Sequence, residues 1–155
     1  MKKTNAMRLL EQMDIDYETI EYGDGSFHTG VEVAHITGMD ESMVFKTLVT
    51  KADGDYFVFV IPVGASLDVK KAAKAAGKKS LEMLPEKELL PLTGYMKGGC
   101  TFIGMKKDFP TFIQKDATDL KEMVISGGKR GIQMKVDPMA LTKFERVAFA
   151  DVIKE

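Results

Sequence analysis

One cysteine and two histidines are all that 155 residues offer to disulfides and soft metal sites. With Cys100 alone, an intrachain disulfide framework is excluded, and a reducing cytoplasm is the expected home. The acidic residues lack metal-ligand spacing around His28 and His35, so neither a metal nor any other cofactor is expected. No Ser-His-Asp or Cys-His set is evident. Nothing approaches the roughly 20 consecutive apolar residues of a membrane-spanning helix. The opening MKKTNAMRLLEQM places charges before amphipathic spacing, with no apolar signal core, so a membrane or secreted protein is not expected. A P-loop is ruled out by the lack of Gly-Lys-Ser or Gly-Lys-Thr, and no dinucleotide fingerprint is found. Charge of one sign is also missing: 22 basic and 23 acidic residues leave −1. Bulk charge therefore does not mark a polyanion binder, although a local basic face is still open to it.

What is present reads as one α+β domain over residues 1–155, with no repeat, linker or low-complexity stretch. Thr4 caps a first helix with Met7, Leu10 and Met13 at helical spacing, and YETIEY (17–22) alternates as a strand. A second helix through Val31, Ala34 and His35 stops at Gly38. Asp53-Gly54 turns one strand into YFVFVIPV, and a lysine-rich helix runs from Leu67 to Ala76. KSLEML is expected as a short strand and Pro85 as the start of a helix. Strands are expected at 112–115 and 122–126, and 132–136 returns antiparallel after a turn at 127–131. Asp137-Pro138 opens a last helix, and AFADVI forms a final short segment. Hairpins mixed with helices predict a mixed, mostly antiparallel, barrel-like sheet flanked by helices.

Three stretches have the residue types for chemistry. In MVFKTLV (43–49), Lys46 interrupts an apolar, β-branched run, sharing a face with Val44 and Leu48. It is either an edge-strand device against sheet pairing or a partly desolvated ammonium that meets an oxygen ligand. On spacing alone the edge device is the plainer of the two. GYMKGGCTFIG (94–104) has four glycines in eleven residues, which suits either a tight surface loop or a backbone that approaches a ligand. Its Cys100 reads as a small buried hydrophobe, not a nucleophile. VISGGKRGIQM (124–134) is a hairpin whose tip exposes Lys129 and Arg130, or a small anion nest from Ser126, Gly127 and Gly128.

The order FKTLV, a lysine-rich helix, TGYMKGGC-x-x-IG-x-KK and ISGGKRG resembles the YbaK/EbsC family, from Leu10 to about Phe149. These proteins are free-standing relatives of the prolyl-tRNA synthetase editing domain. The resemblance implies an aminoacyl-tRNA deacylase that acts on mischarged tRNA(Pro) carrying cysteine, with cysteinyl-tRNA(Cys) as a further substrate, alongside prolyl-tRNA synthetase. It places the family's functional lysine on Lys46, its threonine on Thr47 and its tyrosine on Tyr22. Its glycine loop falls on Gly98 and Gly99, its small polar residue on Thr101, and its Ser-Gly-Gly turn on Ser126, Gly127 and Gly128. Where that loop ordinarily carries proline, this chain has Phe102, which adds bulk and frees φ. Loop rigidity and pocket volume, and with them the preference for cysteine over alanine, are thereby put at issue.

An aminoacyl ester is already activated, so positioning and oxyanion stabilisation suffice. Lys46 and the backbone of Gly98 and Gly99 would supply these, and either the substrate's own thiol or water would attack. Lys97, Lys106, Lys107, Lys129 and Arg130 lie in or beside the two loops and would form a basic rim for tRNA if the loops converge. The rival reading is a non-catalytic module that binds tRNA ends or the synthetase.

Overall fold

The computed structural model describes residues 2–155. In chain order the elements are α1 Asn5–Gln12, β1 Tyr17–Glu21, α2 Gly30–Thr37, β2 Phe45–Ala52, β3 Asp55–Pro62 and α3 Val69–Ala76. There follow β4 Glu82–Met83, α4 Glu86–Thr93, β5 Thr111–Gln114, β6 Met123–Lys129, β7 Ile132–Val136 and β8 Val147–Ala150. Among the described residues no helix is long and apolar enough to cross a membrane.

The β2–β3 hairpin organises the larger sheet. Its two turn residues, Asp53 (φ 51°) and Gly54 (φ 82°), both take positive φ, which matches the twist of the flanking strands. The register runs from Phe45 opposite Pro62 to Ala52 opposite Asp55. β5 then adds to β3 and β8 to β5, both in parallel, and β4 adds to β2 at the other side, giving the order β4-β2-β3-β5-β8. Parallel pairing with both faces covered explains the unbroken apolar run Phe57–Ile61, every residue of which is buried. Val58 and Val60 enter one core cluster with α1, while Phe57, Phe59 and Ile61 enter another with Ala72 and Ala73 of α3.

The smaller sheet is antiparallel, in the order β1-β7-β6. A bridge between Val44 and Val124 brings the two sheets together beside the start of β2. Thr4 fastens α1 to the second sheet: its hydroxyl accepts from Met7 N–H as an N-cap and donates to Gly127 C=O at 2.6 Å. At α2, Thr29 and Glu32 form a reciprocal capping box, and Gly38 ends the helix in the left-handed region.

The fold class is α+β with mixed sheets, but the barrel-like expectation needs correction: these are two open sheets, not one closed on itself. The last predicted helix is a 3₁₀ segment, Pro138–Lys143, capped by Asp137 and ended where Phe144 turns into the core. The expected strand at 112–115 is Thr111–Gln114, and Lys115 opens a 3₁₀ turn.

Candidate active site

Where the sheets meet, a cavity of about 90 Å³ is walled by both. β2 contributes Phe45, Lys46 and Thr47; β6 and β7 contribute Ser126 and Gln133; Tyr22 enters just after β1. Gly30 and Val33 of α2, with His28 before it and Val63 after β3, form another wall, and Gly98 and Cys100 complete it. Gly30 is needed for close approach: a Cβ there would collide with Val63 Cγ1.

Lys46 is half-buried in this wall, and desolvation lowers its ammonium below the ordinary lysine value of 10.5. Among the described residues no carboxylate lines the cavity and none pairs with Lys46. One edge of β2 at this point is hydrogen-bonded to β3, with Lys46 opposite Ile61, and the start of the strand lies beside β6. A cation held there without a counter-ion is available to an oxygen ligand.

Two glycine-bearing segments close the site. Met96 to Gly99 is a turn, with Gly99 N–H donating to Met96 C=O at 2.9 Å and Gly98 at φ 88° in its third position. Gly99 lies against the β6–β7 tip so closely that a Cβ would meet Arg130 N at 3.0 Å and Lys129 Cα at 3.1 Å. Arg130 Nε donates to Lys97 C=O at 2.7 Å, binding tip to turn. Phe27 covers the junction, with Lys97 Nζ and Arg130 Cζ each 5.2 Å from its ring centroid.

The donors differ from the sequence expectation. Gly99 N–H is spent within its own turn, and Gly128 N–H donates to Ser126 Oγ at 3.1 Å. Thr101 is fully buried behind the loop and does not line the cavity. Phe102 is 1% exposed and packs edge-on against Phe144 at 5.9 Å, so its bulk fills the core and leaves the cavity untouched. The basic residues divide: Lys97, Lys129 and Arg130 gather at the site, whereas Lys106 and Lys107 flank a separate cavity with Tyr56 and Phe109.

Cys100 is 8% exposed, and burial pushes its thiol up to about 12, so it is neutral near pH 7. Cys100→Ser is expected to keep ester cleavage within about tenfold of the parent, whereas loss of a nucleophile costs orders of magnitude. Steady-state rates of the two proteins decide it. Ser26 Oγ and His28 Nε2 stand 3.5 Å apart on the surface, too loose a contact for an activated pair.

Residues 25–144 match the family model described as the aminoacyl-tRNA editing domain. The chain belongs to that family. As a member of the aminoacyl-tRNA editing domain family, it is 42% identical over 153 residues to EbsC of Enterococcus faecalis, covering 97% of this chain and 93% of that protein. EbsC carries the provisional name Cys-tRNA(Pro)/Cys-tRNA(Cys) deacylase. Among solved structures, one provisionally described as a trans-editing enzyme for prolyl-tRNA synthetase superposes with a TM-score of 0.84 at 22% identity, covering all of both chains. A hypothetical protein superposes at 0.89, also at 22% identity, over 97% of this chain and all of its own. Those two likenesses speak for the fold. Every cavity residue except Tyr22 lies inside the editing-domain match.

Sequence reasoning missed His28, Gly30, Val33, Phe45, Val63 and Gln133 as parts of the editing-domain cavity, and Phe27 as the cover of the junction beside it. Val33 and Val63 look like ordinary core residues, and nothing in their type marks them. Gln133 did carry a signal, being a polar residue in the apolar strand IQMKV.

Proposed function

We propose that the chain is a trans-editing deacylase that removes cysteine from cysteinyl-tRNA(Pro), and from cysteinyl-tRNA(Cys), working alongside prolyl-tRNA synthetase. The observation that carries this reading is the half-buried Lys46 ammonium in a small cavity that offers no counter-ion and no activated nucleophile. An ester carbonyl or a ribose oxygen is the partner such a cation lacks, and a charge-assisted hydrogen bond there stabilises the developing oxyanion. Size agrees. An apolar cavity of about 150 Å³ takes up benzene, and about 90 Å³ leaves room for a small aminoacyl group. The identity with EbsC supports the same substrate class.

With no nucleophile from the protein, the substrate's thiol supplies one. Its sulfur bonds to the ester carbon, the bond from that carbon to the ribose oxygen breaks, and the thiol proton ends on that oxygen. The products are a cyclic thiolactone and free tRNA, and water is the competing attacker. The terminal adenosine then lies in the adjoining groove of about 280 Å³, which shares Thr47, Gly98 and Cys100 with the cavity and continues along Met83, Leu84 and Leu89. Lys97, Lys129 and Arg130 stand at the junction to meet backbone phosphates. Editing is needed because cysteine and proline are close in size, and a synthetase pocket separates such pairs weakly.

Deacylation of cysteinyl-, alanyl- and prolyl-tRNA(Pro), with the released product identified, is the direct test. Cysteine release is expected to exceed alanine release by at least about tenfold, and thiolactone is expected as the first product. Saturable tRNA binding with no release above background would replace the deacylase with a binding module.

A further inference from the structure

We propose that Gln133 receives the α-amino group of the aminoacyl ester, so that the site accepts free aminoacyl-tRNA and refuses tRNA whose amino acid is N-acylated. The inference rests on the deacylase reading and names a specificity residue within it.

Gln133 is the second residue of β7, the central strand of the smaller sheet, between Ile20 of β1 and Ser126 of β6. Its neighbours Ile132 and Met134 enter the core, while Gln133 lies on the alternate face and lines the cavity. It is only 6% exposed, and among the described residues its Oε1 is a buried side-chain oxygen with no hydrogen-bond partner. A buried acceptor left unpaired is costly and uncommon in a settled interior. Two donors of the same lining leave it so: neither Lys46 Nζ nor the Ser126 hydroxyl is hydrogen-bonded to it.

What the acceptor lacks is a donor, and the proposed substrate brings one. The ester end of an aminoacyl-tRNA presents oxygens, which suit Lys46. The α-amine presents N–H groups, which Lys46 repels and an amide oxygen accepts.

The neutrality of glutamine matters as much as its oxygen. A carboxylate at 133 would also accept the amine, but it would ion-pair with Lys46 across a cavity that otherwise holds no acid. Lys46 would then be neutralised where the ester needs it. An amide binds the amine and leaves the ammonium free. Acylation of the amine removes its charge and all but one of its N–H donors, and adds bulk where Oε1 would receive it.

The experiment compares cysteinyl-tRNA(Pro) with N-acetylcysteinyl-tRNA(Pro) for the parent, Gln133→Met and Gln133→Glu. The parent is expected to favour the free amine by at least about tenfold in kcat/KM. Gln133→Met should bring both substrates to one low value, a ratio near one. Gln133→Glu should keep the preference but lose kcat on both. An unchanged ratio in Gln133→Met, or a parent that cleaves both equally, overturns the proposal. A second measurement needs neither a variant nor turnover: the Gln133 side-chain NH₂ resonances are followed while L-cysteine methyl ester or methyl 3-mercaptopropionate is added. Only the amine-bearing ester should shift them, and equal shifts or none refute the assignment. A parent that shows this response yet cleaves no aminoacyl-tRNA refutes the deacylase and leaves Gln133 as the amine site.

Discussion

Lys46→Ala is expected to lower kcat/KM for cysteinyl-tRNA(Pro) by about 10²–10³-fold, the loss typical of one oxyanion-stabilising donor, without loss of fold. The size of the effect follows from the cavity's poverty. Among the described residues no other lysine or arginine lines it and no carboxylate offsets Lys46, and burial keeps Cys100 in its thiol form. Stability should move the other way. Burial lowers the folded-state pKa of Lys46, so the folded protein holds this proton less tightly than the unfolded chain does. The charged side chain therefore costs stability below its lowered pKa, and that cost disappears as pH rises through it toward 10.5. Lys46→Met, which keeps the stem and drops the charge, should melt above the parent at pH 7 while cleaving no better than Lys46→Ala. Cleavage by the parent should fade on the alkaline side below pH 10.5, as the ammonium is lost. A Lys46→Ala protein that cleaves like the parent, or a Lys46→Met protein that melts below it, would contradict the role given to this side chain.

The edge-strand alternative for Lys46 turned on topology, which the stretch MVFKTLV cannot express. Whether a lysine in a strand guards an edge or faces a site depends on what lies beside the strand. Here that neighbour is β6, some 80 residues away in the chain. Features set by local sequence were legible: Asp53-Gly54 as a tight hairpin, Thr4 as the cap of α1, and Gly38 as the stop of α2. Non-local pairings were not. The parallel additions of β5 to β3 and of β8 to β5 leave no trace in either strand beyond β-prone composition, so an open mixed sheet and a barrel looked alike. The same limit split the expected basic rim. Lys97 and Lys106 are nine residues apart, but Gly104 at φ 81° turns the chain between them, and Lys106 N–H then returns to Thr93 C=O at 3.1 Å. Residues out of character with their surroundings, such as Lys46, showed themselves. Residues in character, such as Val33 and Val63, did not, because a cavity wall and a core are built from the same side chains.

Gly99→Ala is the second large effect expected, and it tests whether the site depends on two loops being held as one. The residue's φ is not in the left-handed region, so the backbone tolerates alanine and the consequence is purely one of contact. Its Cβ would lie 3.0 Å from Arg130 N and 3.1 Å from both Lys129 C and Cα, all backbone atoms that no rotamer change can move. The turn at 96–99 and the β6–β7 tip must part by a few tenths of an ångström. That separation stretches the Arg130 to Lys97 hydrogen bond and loosens Phe27 from its place over the junction. Gly98 and Cys100 on one side then shift relative to Ser126 and Gln133 on the other, across a cavity of only about 90 Å³. Displacements approaching 1 Å in a positioned site cost about a hundredfold in rate, so a loss of about tenfold or more in kcat/KM is expected, with little change in melting temperature. Arg130→Met provides the comparison, since it removes the hydrogen bond without forcing the backbones apart and should cost less. If Gly99→Ala cleaves at the parent rate, the two loops act independently, and the close approach of Gly99 to Arg130 serves packing alone.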